Sequence, residues 1–206
     1  YSDGTGNNSK DLTGLAAIAD DGTNVVTYAN ISRTGNDWWK GKYTDTSTTL
    51  TKVIMDAQVD SVSDDGIMPT LIVTTYKLWS KLGQIVGSAQ QTMVNGYEKL
   101  APSFKNGKTK DYGINGGFNA ISYRGIPVVP SKYVPDTYMY FLNENYLKVR
   151  YRDQAGIGRK SLKKGFSATE MIPAQNQDGE VARIHFYGNV VCSRPEKQAV
   201  HRGLTV

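Results

Sequence analysis

Tyr187-Gly-Asn-Val-Val-Cys-Ser-Arg-Pro-Glu-Lys-Gln-Ala-Val-His-Arg-Gly-Leu204 lies at the end of this 206-residue chain. Tyr187, Val190 and Val191 are aromatic or β-branched and favour a pleated, half-buried strand. The strand is expected over Val181–Cys192. Arg194-Pro195 then breaks it, since proline brings no N–H to a ladder. A short tail follows, ending in Gly203-Leu204. Cys192 is the only cysteine, so no internal disulfide is available and a buried, reduced thiol is the expected state.

Working back from that strand, residues 148–165 read as a basic, Gly-containing loop. Asn143–Leu147 reads as a short helical turn, and Tyr138–Leu142 as a strand. Phe118–Tyr123 and Ile126–Val129 read as two strands around an Arg124-Gly125 turn. Pro127 and Pro130 place this segment at a sheet edge or strand end. Residues 87–117 show no clear period. Upstream, Leu78, Trp79, Leu82, Ile85 and Val86 share one helical face, predicting a helix over 75–87. Met68–Thr74 is a buried strand. Ser47–Val62 reads as a helix with Leu50, Val53, Ile54 and Ala57 as its apolar stripe and Ser47 or Thr48 as its cap. Residues 1–47 are rich in Gly, Asn, Thr, Ser and Asp and predict short strands and loops. The sum is an α+β (mixed α/β) fold around one core.

Two further segments matter beside the terminal strand. Ser2-Asp-Gly-Thr-Gly6 opens the chain, and Tyr123-Arg-Gly-Ile-Pro-Val-Val-Pro-Ser131 lies in its middle. Each alone is ordinary turn and strand chemistry. In this order and spacing, the three resemble the major capsid protein of tailed bacteriophages, the Hong Kong phage-type coat fold. In that family a Gly-Thr-Gly turn opens the second half of the chain. A Gly-(Ile/Leu)-Pro-Val-Val segment lies near the middle of that half, and a Tyr-Gly-Asn-(Leu/Val)-Val strand closes it.

The resemblance implies a structural subunit, not an enzyme. Its copies would form pentamers and hexamers of an icosahedral shell around double-stranded DNA, assembled in a bacterial cytoplasm and found in the virion. It implies an axial-type α/β domain over 48–179, and a partial peripheral-type domain from 1–47 with 180–206. The chain starts at Tyr1 without an initiator Met. The resemblance therefore leads one to expect a longer protein, with an N-terminal arm, an extended loop and a spine helix ahead of the Gly-Thr-Gly turn. The 206 residues alone are expected to be monomeric. The loop Ser131, Lys132, Tyr133, Val134, Pro135 and Asp136 is expected at the capsomer axis. Encapsulin shells share the fold and form the nearest alternative.

Composition is consistent with such a protein. Hydrophobic residues make up 39% and charged residues 21%, as in a globular chain. No apolar run approaches the roughly 20 residues that span a bilayer, so no membrane partner is expected. Net charge is +5 and uneven. Residues 146–206 hold eleven Lys/Arg against five Asp/Glu, leaving the rest nearly neutral. Arg150, Arg152, Arg159, Lys160, Lys163 and Lys164, with Tyr146 and Tyr151 nearby, form a basic stretch suited to weak, sequence-independent DNA contact or to acidic groups of a neighbouring subunit. A module binding polyanions or glycans is the rival reading from another class. Thirteen tyrosines and the Trp38-Trp39 pair suit an assembling surface. In an extended segment, one of the two Trp rings would be buried and the other free for a subunit contact.

Catalytic, cofactor and metal sites find no support. Gly156-Ile-Gly-Arg-Lys-Ser161 lacks the first glycine of a phosphate loop, because position 153 is Asp153. His185 and His201 stand apart from any ligand cluster. Asp20-Asp21 and Asp64-Asp65 sit beside Gly22 and Gly66 and read as turns.

Overall fold

A computed structural model describes residues 11–63, 66–87, 121–152, 159–161, 165–169, 171–173 and 178–206. In chain order the first elements are the helical turn α1 (Leu15–Ile18), β1 (Thr27–Tyr28), β2 (Ile31–Ser32), β3 (Lys42–Thr49), α2 (Lys52–Val62), β4 (Leu71–Thr74), α3 (Tyr76–Gly87), β5 (Ile121–Tyr123), β6 (Ile126–Pro130) and β7 (Met139–Leu142). Then come β8 (Leu147–Tyr151), β9 (Arg159–Ser161), β10 (Phe166–Thr169), β11 (Ile172–Pro173), β12 (Glu180–Val181), β13 (Ile184–Phe186), β14 (Gly188–Cys192) and β15 (Ala199–Thr205). The Ser2–Gly6 turn, Asp64-Asp65, most of the 87–117 stretch, and Lys163 and Lys164 lie outside the described residues.

Contacts divide the chain into two units, Ile18–Tyr146 with Arg194–Val206, and Tyr1–Ala17 with Leu147–Ser193. These boundaries differ from the expected 48–179 and 1–47 with 180–206. The reason is strand pairing. β3 pairs in parallel with β15 from Ala199↔Lys42 to Thr205↔Thr49, which ties residues 42–49 and the chain's end into the larger unit. The expected short tail is thus a seven-residue strand. The expected Val181–Cys192 strand is instead three pieces, β12, β13 and β14.

The larger unit holds a six-stranded sheet in the order β3-β15-β7-β4-β6-β5. Met55, Val59 and Val62 of α2 and Leu78 and Leu82 of α3 pack with Ile72, Val128, Met139, Phe141, Ala199 and Leu204 in one core. Burying a side chain of this kind contributes about 1.5–3 kcal/mol. α3 runs as its period predicted. Helix α2 starts later than expected because β3 claims Ser47 and Thr48. Thr51 is its cap, accepting from the Ile54 N–H at 3.4 Å. The buried stripe shifts with the start: Val53 is 76% exposed and Ala57 is exposed, while Met55 and Val59 are buried.

The β5–β6 pair lies at one side of the sheet, with β6 itself between β4 and β5 and Pro130 as its last residue. Its prolines fit because N–H direction alternates along a strand. Pro127 precedes the first β4 pair at Val128, and Pro130 lies beyond the last β5 pair at Val128. Among the described residues neither ring therefore removes a ladder bond.

Residues 18–41 are organised by a buried ion pair. The Arg33 and Asp20 side chains are both fully buried, 3.6 Å apart. Asp20 accepts from the backbone N–H groups of Gly22, Asn24 and Val25. Arg33 donates to the carbonyls of Ile18, Val25 and Trp39 at 2.9, 3.0 and 3.3 Å. Its guanidinium also lies over the Tyr28 ring. Asp20 is thus more than the turn former its sequence context suggested. The β1–β2 turn carries Ala29 and Asn30 at φ 51° and 64°, as a two-residue hairpin demands. Alanine in that region costs roughly 1–2 kcal/mol, part of which glycine gives back through chain entropy. Ala29→Gly should therefore stabilise the protein by about 0.5–1 kcal/mol, read as a raised Tm. A lowered Tm would contradict the strain.

His201 sits in β15 with 2% exposure. Its Nε2 lies 3.2 Å from Thr46 Oγ1, and Nδ1 has no partner. Burial lowers its pKa below the ordinary 6.5, with hydrogen bonding to Thr46 and the charge of Asp45 opposing. The unfolded chain then binds the proton more readily, so stability is complete above about pH 6.5 and falls as the pH drops below it. His201→Gln should flatten this acid limb of a Tm–pH profile. An unchanged slope would assign the acid sensitivity to other groups.

Candidate functional site

The loop from Ser131 to Thr137 joins β6 to β7 and is anchored at both ends. The Ser131 N–H donates to Thr74 O at 2.8 Å, and Thr137 O accepts from the Leu204 N–H at 3.0 Å. Between them, Ser131 O accepts from Val134 N–H and Pro135 O from Tyr138 N–H, closing two successive turns. Tyr133 is 84% exposed, with Lys132 Nζ 5.0 Å from its ring centroid. Asp136 faces Lys77 at 3.8 Å with both side chains in solvent, a pair worth little. Thr137 has φ 73°. A β-branched residue there is strained, and such strain gathers at functional loops. The loop therefore presents an aromatic and a cation outward on a fixed base.

The Trp pair divides as expected, by a different route. Asp37–Trp39 is a 3-10 turn, not an extended segment. Trp39 is buried, stacks on Tyr28 and donates its Nε1–H to Tyr28 O at 2.9 Å. Trp38 is 57% exposed and lines an open cleft with Asp37, Lys42, Asp60, Glu196 and Lys197. Lys40 bonds Asp37 at 2.7 Å and holds that carboxyl below its usual range.

The smaller unit consists of separate small sheets, β13-β10-β9, β11-β12 and β14-β8. The expected basic loop is partly strand. Arg150 lies on β8, which pairs with β14 over Leu147–Tyr151, and Arg159 and Lys160 lie on β9. Arg152 follows β8, its N–H bonded to Tyr187 O at 3.0 Å. Val149, Tyr151, Phe166, Met171, Val181, Ile184 and Phe186 are all exposed. Two-stranded sheets are marginal on their own, and exposed large apolar side chains in number mark an interaction surface. Apart from Tyr151, the exposed apolar residues of β8, β10 and β13 were missed in the sequence. Their alternation is interrupted every few residues, which hides the period.

Among the described residues no group of three or more His, Cys, Asp or Glu side chains could hold a metal ion, and no helix is long and apolar enough to cross a membrane. His185 lies beside the Tyr187 ring, 6.2 Å between centroids. Buried Tyr140 has its hydroxyl pKa pushed up to about 12 by desolvation.

No family model and no curated protein sequence matches the chain. Solved structures do. The chain is similar to a chain of the cyanophage A-1(L) capsid asymmetric unit, at 17% identity and a TM-score of 0.62, over 94% of this chain and 60% of that one. It is also similar to an encapsulin complex from Synechococcus elongatus PCC 7942, at 13% identity and a TM-score of 0.50, over 79% of this chain and 53% of that one. The chain thus spans less than two thirds of either. The likeness establishes the fold, the phage capsid-type α+β fold that the three sequence motifs implied.

Proposed function

We propose that the chain is part of the major capsid protein of a tailed phage or prophage, a structural subunit whose copies close into an icosahedral head. The fold likeness to the cyanophage capsid chain carries this reading, since it extends over 94% of the residues. The exposed apolar side chains of the 147–193 unit support it, because a shell subunit covers such surface with neighbouring segments and copies. In this reading the 18–146 unit is axial-type and the 147–193 unit peripheral-type. The loop Ser131–Asp136 reaches the capsomer axis, Trp38 and its cleft meet a neighbouring subunit, and no catalytic step is involved. The protein is assembled in the host cytoplasm and resides in the virion.

The 206 residues by themselves form a monomer or a small oligomer at micromolar concentration, since a stable interface needs on the order of 1,000 Å² or more of well-fitted surface. Sedimentation and negative-stain microscopy of the whole gene product containing these residues test the reading. Closed particles or capsomers are expected. A monodisperse monomer that never forms particles would overturn it. The encapsulin likeness supports a second shell reading, and particle content separates the two: packaged double-stranded DNA for a head, a protein cargo for a nanocompartment.

A further inference from the structure

Strand β3 differs from its neighbours in the six-stranded sheet. It is the outer strand, beside β15, and none of its eight residues is buried. Every other strand of that sheet buries at least one side chain. The ladder from β3 to β15 is also interrupted, since Thr46 and Ser47 together oppose Gly203. Few apolar contacts and a broken ladder mark a segment that opens locally.

This strand lies against a buried imidazole. His201 has Thr44 of β3 and Met139 of β7 as its register partners, and it is the last residue of the β7 ladder. It is 2% exposed, its Nε2 meets Thr46 Oγ1 at 3.2 Å, and its Nδ1 has no partner among the described residues. A neutral ring can leave one nitrogen bare. A protonated ring carries an N–H on both, and a buried charged N–H without an acceptor is costly. The groups around it do not offset that cost. From β3, Asp45 alternates with Thr44 onto the opposite face, where it meets Arg202 at 3.5 Å and Tyr43 Oη at 3.1 Å. From β7, Tyr138 and Tyr140 alternate with Met139 in the same way. From α2, Gln58 bonds Thr44 at 3.0 Å, while Asp56 and Asp60 turn to Tyr123 and Arg124.

We propose that β3 is a proton-released cover strand: protonation of His201 frees residues 42–49 from β15 while the rest of the sheet stays closed. β3 can leave without exposing a buried side chain of its own, and its departure lets water reach Nδ1. The release is local and precedes global unfolding. Its sign follows from burial. The open strand returns the imidazole to its ordinary pKa of 6.5, whereas the closed strand holds it lower, so opening grows as the pH falls below 6.5. At pH 5 the gain is limited to about thirtyfold. The inference does not depend on the chain being a shell subunit.

The test is amide hydrogen exchange, read residue by residue at about pH 7.5 and about pH 5 and expressed as protection factors, which correct for the pH dependence of intrinsic exchange. The β3 amides bonded to β15 should lose protection about five- to thirtyfold at the lower pH. Lys42 N–H, bonded to Gln198 O, marks the start of the segment, and Leu50 N–H, bonded to Thr205 O, its end. Amides of β4 and β7 should change less than about twofold, since a local opening leaves them closed. His201→Gln and His201→Leu each put a neutral side chain under β3 and should abolish the pH response. Circular dichroism at the higher pH checks that they fold. Unchanged β3 protection in the wild type overturns the proposal. Equal loss in β3, β4 and β7 also overturns it, because the acid effect would then be global. So does a β3 response that survives in either folded variant, which would assign it to another group. The wild-type comparison decides without either variant.

Discussion

Arg33→Ala should cost about 3–5 kcal/mol, the range found when one partner of a buried pair is removed. Asp20 would remain buried at full charge, and the carbonyls of Ile18, Val25 and Trp39 would lose their donor. Tyr28 would lose the guanidinium above its ring. Domains are commonly stable by only about 5–15 kcal/mol, so the loss would be plain as a shift in denaturation midpoint with little change in slope. Asp20→Asn should cost less, because the amide oxygen still accepts from backbone N–H groups. The double variant Arg33→Met, Asp20→Asn should recover part of the loss, since no unpaired charge is left buried. A cost under about 1 kcal/mol for Arg33→Ala would mean that water reaches the pair and that residues 18–41 are held by packing alone.

Gly203→Ala is expected to destabilise by about 3 kcal/mol, at the high end of single substitutions. Gly203 has φ 84°, where an L side chain costs roughly 1–2 kcal/mol. Its added Cβ would lie 2.8 Å from the carbonyl oxygen of Thr46 and 3.0 Å from the carbon, both backbone atoms of β3. The β15 register shifts here, between Arg202 and Leu204. That bulge lets Leu204 join the same core as Ala199, whereas strict alternation puts residues five apart on opposite faces. The effect should appear as faster hydrogen exchange over 199–205 together with the lower midpoint. A change below about 0.5 kcal/mol, the usual range for surface sites, would show that the strands part easily at this point.

Helix α3, the β5–β6 hairpin and β7 could be read from the chain, because each is built from near neighbours. Leu78 and Leu82 repeat at helical spacing, and Arg124-Gly125 supplies the two positive φ angles of a tight turn. The capsid-type fold could be read from the Gly-Thr-Gly, Gly-Ile-Pro-Val-Val and Tyr-Gly-Asn-Val-Val segments. The loop at Ser131–Asp136 was singled out by the resemblance alone, and the unlike fates of Trp38 and Trp39 were anticipated, though from an extended segment and not the 3-10 turn that separates them.

Pairings over long separations were not legible. β15 looks like a tail because His201, Arg202 and Gly203 mask its alternation, and its place between β3 and β7 depends on partners about 60 and 160 residues away. The start of α2 was misread because Ser47 and Thr48 suit a cap as well as a strand, and only β15 decides for the strand. The basic stretch could be seen as charge. That Arg150 lies on a strand came from the pairing of β8 with β14. Local propensity acts through adjacent residues. Which strand lies beside which is decided by burial summed over the whole sheet, and that exists only once the chain has closed on itself.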